Sequence, residues 1–265
     1  MIKLIVFDLD DTVLNDQKAV DSDLKETLKK LREKYSIRFT IASGRNEDLI
    51  SDYVDYFELS DPYIVNNGGN VCQSHRCLFS EFIPSSYNNI LGKVLMEHEI
   101  PFRLFSTEAS LSYSDSAIFS TRITKHLKKI LKPYDPGCDL SHHHIFKVTA
   151  DFTGREEKIE EVCRIMKERC PEMHFLRSEN SLFCANALNA NKGSALQKIC
   201  AILDIDLQQV MAFGDSYNDL PMFERSGISV AVANACSDLL EACDYVCADN
   251  NHNGVSSFLK MYFRL

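Results

Sequence analysis

The stretch Val6-Phe7-Asp8-Leu9-Asp10-Asp11-Thr12 places three carboxylates in four positions, directly after the apolar run Lys3-Leu4-Ile5-Val6-Phe7. Carboxylates this close repel one another, and burying one without a partner is costly. Such acids either dissolve a loop in water or hold a cation and do chemistry on it. Asp8 and Asp10 are two residues apart, so in extended chain they point to the same side. A second apolar run, Val210-Met211-Ala212-Phe213-Gly214, ends in Asp215 and is followed by Ser216, Asn218 and Asp219. Asp215 and Asp219 read equally well as ordinary acids at a helix N-terminus. If the two runs end in one crevice, however, Asp8, Asp10 and Asp215 raise one another's pKa and strain the fold. A hard divalent cation such as Mg²⁺, with a phosphate nearby, resolves that conflict.

Three further features fit a phosphate. Asn191 is the expected N-cap of a helix whose first turn carries Lys192, where the helix dipole disfavours a cation; a nearby anion removes that penalty. Ser43-Gly44 follows an apolar run and offers a hydroxyl and a close backbone approach, although a Ser-Gly pair is also a plain turn. Asn66-Asn67-Gly68-Gly69 reads first as a turn with positive φ. Absent are a Gly-x-Gly-x-x-Gly after the first run, a Gly-Lys-Ser loop and a Gly-x-Ser-x-Gly elbow. Dinucleotide redox chemistry, nucleotide-driven motors and serine hydrolysis lose their signatures with them.

Parallel strands gather ligands beyond their carboxyl ends, and the surrounding elements fit that geometry. Lys3–Asp8 suits a strand buried on both faces; Asp21 or Ser22 can cap the next helix, in which Leu24, Leu28 and Leu31 share a face. Ile37–Ser43 and Asp61–Asn67 read as the second and third strands, with a helical stretch between them near Glu47 to Phe57. From Lys192 onwards the alternation resumes, through Gln209–Asp215, Ile228–Ala233 and Asp244–Ala248. This predicts an α/β class with a doubly wound, mostly parallel, Rossmann-like sheet. Between them, longer alternating strands such as Ile145–Asp151, and a helix with Ile159, Val162, Cys163 and Met166 in register, predict an inserted α+β domain. The expected limits are 1–83 and 188–265 for the core and 84–187 for the insertion. His142-His143-His144 reads as a solvated loop.

Composition restricts the class of partner. The chain has 265 residues, 45% hydrophobic and 25% charged, and a net charge of −9, which disfavours nucleic acid and anionic membrane as partners. Ten cysteines show no Cys-x-x-Cys or Cys/His cluster, and residues such as Cys163 and Cys200 fall on apolar helix faces. They read as reduced core thiols of a cytoplasmic protein. Met1–Phe7 does not read as a signal peptide, and no apolar stretch approaches the ~20 residues that cross a bilayer.

In order along the chain, Asp8-Leu9-Asp10-Asp11-Thr12, Ile41-Ala42-Ser43-Gly44-Arg45, the Lys192 of Asn191-Lys192-Gly193-Ser194, and Phe213-Gly214-Asp215-Ser216-Tyr217-Asn218-Asp219 resemble the four motifs of the haloacid dehalogenase (HAD) superfamily. Gly227–Ala235 and Asp244–Val255 are similar to the C-terminal signature of its Cof-type sugar-phosphatase branch. The resemblance implies an Mg²⁺-dependent phosphatase acting on small phosphorylated metabolites such as sugar phosphates. Asp8 would be the nucleophile, forming an aspartyl phosphate, and Asp10 the acid and base. Mg²⁺ would be held by Asp8, the Asp10 carbonyl and Asp215, with Ser216 or Asp219 helping through hydrogen bonds or water. Ser43, Gly44, Lys192, Asn218 and the Leu9 amide would cradle the phosphoryl oxygens. Asp11 stands where the family often has Gly, and Ser43 where Thr is common. The insertion would be a cap that closes over the site and sets specificity. Arg103, Lys147 and Arg177 are polar candidates within it that read as exposed strand residues. A monomer or homodimer is expected. The rival readings are a phosphomutase, a dehalogenase, which Asp10 and Asp215 argue against, and a non-catalytic sensor of phosphometabolites.

Overall fold

The computed structural model describes residues 1–107, 109–121, 131–179 and 181–265. Its contacts divide the chain into one unit of Met1–Phe79 with Asn191–Leu265 and a second of Ser80–Ala190. Strands β1 (Leu4–Phe7), β2 (Arg38–Ile41), β3 (Tyr63–Val65), β4 (Asn70–Gln73) and β5 (Arg76–Ser80) precede the second unit. That unit contributes β6 (Phe102–Ser106), β7 (Ser110–Tyr113), β8 (Leu131–Pro133), β9 (Ile145–Asp151), β10 (Met173–Glu179) and β11 (Leu182–Ala187). Strands β12 (Val210–Gly214), β13 (Ile228–Val232) and β14 (Tyr245–Cys247) complete the first unit.

The first unit is an α/β fold whose main sheet runs β14-β13-β12-β1-β2, parallel throughout. Its strands are apolar on both faces because both are covered. Ile5 and Phe7 pack with Leu24, Leu28 and Leu31 of the helix Leu24–Tyr35 and with Val255, Phe258 and Leu259. Leu4 and Val6 pack on the opposite face with Ala195, Leu196 and Ile199 of the helix Lys192–Leu203. Alternation along a strand thus builds two apolar layers from one sequence run. Asp21 lies before the first of these helices, accepting from the Asp23 amide at 2.8 Å, and the helix begins at Leu24.

The third expected strand is placed differently. Strand β3 joins a sheet of order β3-β4-β5 and pairs antiparallel with β4, while an isolated parallel bridge between Ile64 and Ala42 links it to the end of β2. Three apolar residues, Tyr63-Ile64-Val65, are too few to distinguish a central parallel strand from a hairpin edge. The hairpin won because Asn66, Asn67 and Gly68 all adopt positive φ and reverse the chain.

The second unit is a six-stranded sheet, β10-β11-β9-β6-β7-β8, antiparallel except for the β7–β8 pair. Leu104, Val148 and Ala185 share its core with Leu91, Leu95, Val162 and Met166 from the helices Ser85–Glu97 and Ile159–Arg169. Arg103 and Lys147 are buried rather than exposed, the Arg103 guanidinium lying 4.6 Å from the centre of the Phe119 ring. The Arg177 side chain lies outside the described residues. His142 lies in a turn, and His143 and His144 follow it outside any helix or strand. All ten cysteines lie among the described residues, and none is in a disulfide. Cys200 is buried and Cys163 half-buried, but Cys77 and Cys138 are exposed, so the thiols are not uniformly core residues. Among the described residues no helix is long and apolar enough to cross a membrane.

Candidate active site

Strands β1 and β12 are neighbours in register, Phe7 opposite Phe213, so the residues that follow them emerge side by side. The Asp8 amide donates to Phe213 O at 3.1 Å, which carries the pairing to the carboxylate itself. The chain then turns, with Leu9 O accepting from the amides of Val13 and Leu14, and Asp11 takes a left-handed φ of 55°. That conformation explains why glycine suits the position of Asp11. Thr12 Oγ1 reaches across to donate to Asp215 Oδ1 at 2.9 Å.

Asp8, Asp215 and Asp219 each bring a carboxylate oxygen within 4.8 Å of the others. Lys192 enters the same place. Its Nζ donates to Asp8 Oδ1 at 2.7 Å and to Asp219 Oδ1 at 2.6 Å, and the side chain is fully buried. Asn191 is the N-cap of that helix, accepting from Ser194 N at 2.8 Å, so the ammonium is held in the first turn where the dipole opposes it. The anions that offset this are the chain's own carboxylates. Asp219 Oδ2 accepts from the amides of Asp215 and Ser216 at 3.0 and 3.1 Å. Asp219 is thereby saturated and acts as the anchor of the loop, and Ser216 joins it through its backbone.

Three carboxylates share one ammonium in a buried place, and the titration follows from that imbalance. Burial pushes the Asp8 carboxyl up, Lys192 pulls it back, and Asp219 and Asp215 push it up again, leaving it well above the usual range. Burial, then Asp219, pushes Asp215 up to about 7 against the pull of Lys192 and Thr12. Burial lowers the Lys192 pKa, but Asp219 and Asp8 outweigh it and keep the ammonium charged. A hard cation fits this donor set, which is all oxygen, anionic and under-neutralised.

Asp10 belongs to different company. Arg45 clasps it through two hydrogen bonds, Nε to Oδ2 at 2.7 Å and Nη2 to Oδ1 at 2.5 Å, and Lys18 Nζ adds a third at 3.1 Å. Burial raises its pKa, but the Arg45 hydrogen bonds and charge, followed by those of Lys18, bring it below the ordinary value. Its carboxylate stands outside the cluster of Asp8, Asp215 and Asp219 among the described residues. Asp11, largely exposed, meets Lys18 at 3.4 Å.

The remaining candidates line the end of β2 and the loop before β4. Ser43 is buried, and its Oγ accepts from Arg45 N at 3.1 Å while its hydroxyl hydrogen can still donate. Gly44 lies so close to Asn67 that a Cβ would sit 2.7 Å from Oδ1. The same Oδ1 accepts from Asn218 Nδ2 at 3.0 Å, an amide with a second N–H to offer. Gly68, at φ 91°, lets this loop lie on Asn191, whose carbonyl oxygen would be 2.2 Å from a Cβ. Asn67, Thr12 and Arg45 were left unassigned by the sequence reading. Arg45 and Thr12 lie inside the quoted motifs, which was the available signal. Asn67 offered only its place in a turn.

Comparison with known proteins identifies the family. The family model described as haloacid dehalogenase-like hydrolase matches residues 5–259. A putative phosphatase of Bacillus subtilis, YxeH, is 26% identical over 269 residues, spanning 97% of this chain and 96% of that protein. The same organism's 5-amino-6-(5-phospho-D-ribitylamino)uracil phosphatase YcsE is 26% identical over 259 residues, spanning 98% and 95%. The solved structure of the HAD subclass IIB sugar phosphatase BT4131 superposes with a TM-score of 0.84 at 21% identity, covering 99% of this chain and 100% of that one, and shows the shared fold.

Proposed function

The chain belongs to the haloacid dehalogenase-like hydrolase family, and from that premise we propose that it is an Mg²⁺-dependent phosphatase that hydrolyses small phosphomonoesters through a phosphoryl group carried on Asp8. The similar proteins support this reading, YcsE being a phosphatase and YxeH a putative one. Sugar phosphates or similar metabolites are the substrate class favoured here, since BT4131 is a sugar phosphatase and YcsE acts on a phosphorylated ribityl compound. The observation that carries the reading is the convergence of Asp8, Asp215 and Asp219 on the buried ammonium of Lys192.

In this scheme the Asp8 oxygen not engaged by Lys192 attacks phosphorus, and the ester oxygen departs with a proton from Asp10. Asp10 then takes a proton from water, which attacks the acyl phosphate and frees both phosphate and Asp8. Lys192 holds Asp8 in line and neutralises a phosphoryl oxygen, while Ser43, Gly44, Asn218 and the Leu9 amide donate to the others. Mg²⁺, held by Asp8, Asp215 and the Asp10 carbonyl with Asp219 or Ser216 behind them, would supply charge neutralisation for the phosphoryl group. Asp10 can give a proton only after its grip by Arg45 and Lys18 loosens. The inserted unit is proposed to act as the cap that selects the leaving group.

Phosphate release from a panel of phosphorylated metabolites tests this reading. Release from a subset of phosphomonoesters, without a bisphosphate activator, is expected, with loss under EDTA and recovery with Mg²⁺. Activity indifferent to EDTA removes the cation from the scheme. No release from any ester in the presence of Mg²⁺ overturns the function.

A further inference from the structure

The geometry points to Cys72 and Cys77 as a peroxide-responsive dithiol that closes reversibly into a disulfide across the β4–β5 hairpin. The turn between these strands is the two residues Ser74 and His75, both at positive φ (48° and 59°). That is the conformation of a tight hairpin turn, which sets Gln73 opposite Arg76 and therefore Cys72 opposite Cys77. The flanking pair exchanges the hydrogen bonds, so the cysteines occupy the next, non-hydrogen-bonded position. There the Cα atoms approach to about 4.5 Å, inside the range of about 4.4–6.8 Å that a disulfide spans. The Cys77 sulfur lies near enough to Cys72 to push the Cys72 thiol's pKa up.

The two sulfurs differ in a way that assigns their parts. Cys77 is exposed on the edge strand, where peroxide can reach it; its Sγ accepts from Asn70 Nδ2 at 3.7 Å and donates to Phe79 O at 3.1 Å. Cys72 is buried, and the Cys77 sulfur, followed by burial, keeps its thiol protonated. The accessible Cys77 sulfur, on giving up its proton, attacks one oxygen of hydrogen peroxide, breaking the O–O bond and forming a sulfenic acid, while the leaving hydroxide takes up a proton to become water. Cys72 sulfur next attacks the sulfenic sulfur, the S–S bond forms, and a second water departs with the Cys72 proton. Two thiols are oxidised by two electrons in all, and one peroxide is reduced to two waters. Asn70 also accepts from Asn66 Nδ2 at 2.7 Å, so the pair lies at the far end of a hydrogen-bonded chain from the Asn66–Gly68 loop.

Treating the full chain with a small excess of peroxide, alkylating the remaining thiols and mapping peptides without reduction tests the inference. The Cys72–Cys77 link is expected to form before oxidation of the exposed Cys138, and to be reversed by dithiothreitol. In Cys72→Ala, which keeps a small apolar group in the buried position, several-fold more sulfenic acid than in the wild type is expected at Cys77, captured with dimedone. In Cys77→Ser, an exposed change that spares the core, Cys72 is expected to stay reduced. Sulfinic acid at Cys77 in the wild type without the link overturns the proposal. So does oxidation of Cys138 at the same rate, or of Cys72 in Cys77→Ser.

Discussion

Asp8 and Asp10 stand two residues apart at the end of one strand, and their surroundings push them in opposite directions. Asp8 is buried with Asp215 and Asp219 against a single ammonium, so negative charge is in excess and its pKa rises. Asp10 is half-buried between Arg45 and Lys18, so positive charge surrounds it and its pKa falls. Environments that separate the pKa values of neighbouring carboxyls are how one fold assigns them different work. The Asp8 side is short of positive charge, which makes it a place for a cation and a phosphoryl group. The Asp10 side is already neutralised, which makes it a group to be released when needed. Lys192 and Arg45 are the residues that draw this line.

The sharpest way to break the comparison is to remove the charge on Asp8 alone. In Asp8→Asn the amide can still accept from Lys192, so the fold is expected to survive with an unchanged far-ultraviolet spectrum. Turnover is expected to fall by about 10⁴-fold or more, the scale of losing a nucleophile. Retention of substantial phosphate release would show that Asp8 is no more than a structural partner of Lys192. Asp10→Asn stands next in size. Loss of a general acid and base costs about 10²–10⁴-fold, and trapped phosphoenzyme on Asp8 would show that the second half of the cycle suffers too. Equal losses in the burst and in steady turnover would instead place Asp10 only in the first step.

The divide between the two acids was half legible in the sequence. Lys192 announced itself by standing where a helix dipole disfavours it, and the strand ends at Asp8 and Asp215 followed from apolar runs that admit one reading. The two-layer packing around β1 and β12 follows from the same runs. The clasp of Arg45 on Asp10 was not legible, because it joins residues thirty-five apart through side-chain geometry that no period encodes. The anchoring role of Asp219 depends likewise on two amides four and three residues before it. The turn at Asn66–Gly68 follows from its expected positive φ, but the pairing of β3 with β4 does not, because the hairpin of β4 and β5 turns on Ser74 and His75 with no glycine to mark it. The burial of Arg103 and Lys147 was missed for a related reason: alternation in a strand tells which residues share a face, but not whether that face is covered.

Arg45→Met offers the smallest expected effect and the most discriminating one. The substitution keeps a long apolar stem and removes the guanidinium, so the main influence lowering Asp10 disappears and its pKa rises. An acid works while it carries its proton, so the fall of kcat/KM on the alkaline side should move to higher pH while Lys18 remains in place. Stability gives an independent sign. A carboxylate with a depressed folded pKa contributes stability that is present above the ordinary carboxylate range and lost as pH falls through the folded value. The wild type should therefore lose that contribution on acidification, and Arg45→Met should lack it from the outset, with the two stability curves converging at low pH. A pH–rate profile that stays put while the curves converge would mean that Arg45 stabilises the loop without controlling the proton. The contrast between the two acids would then be one of packing and not of chemistry.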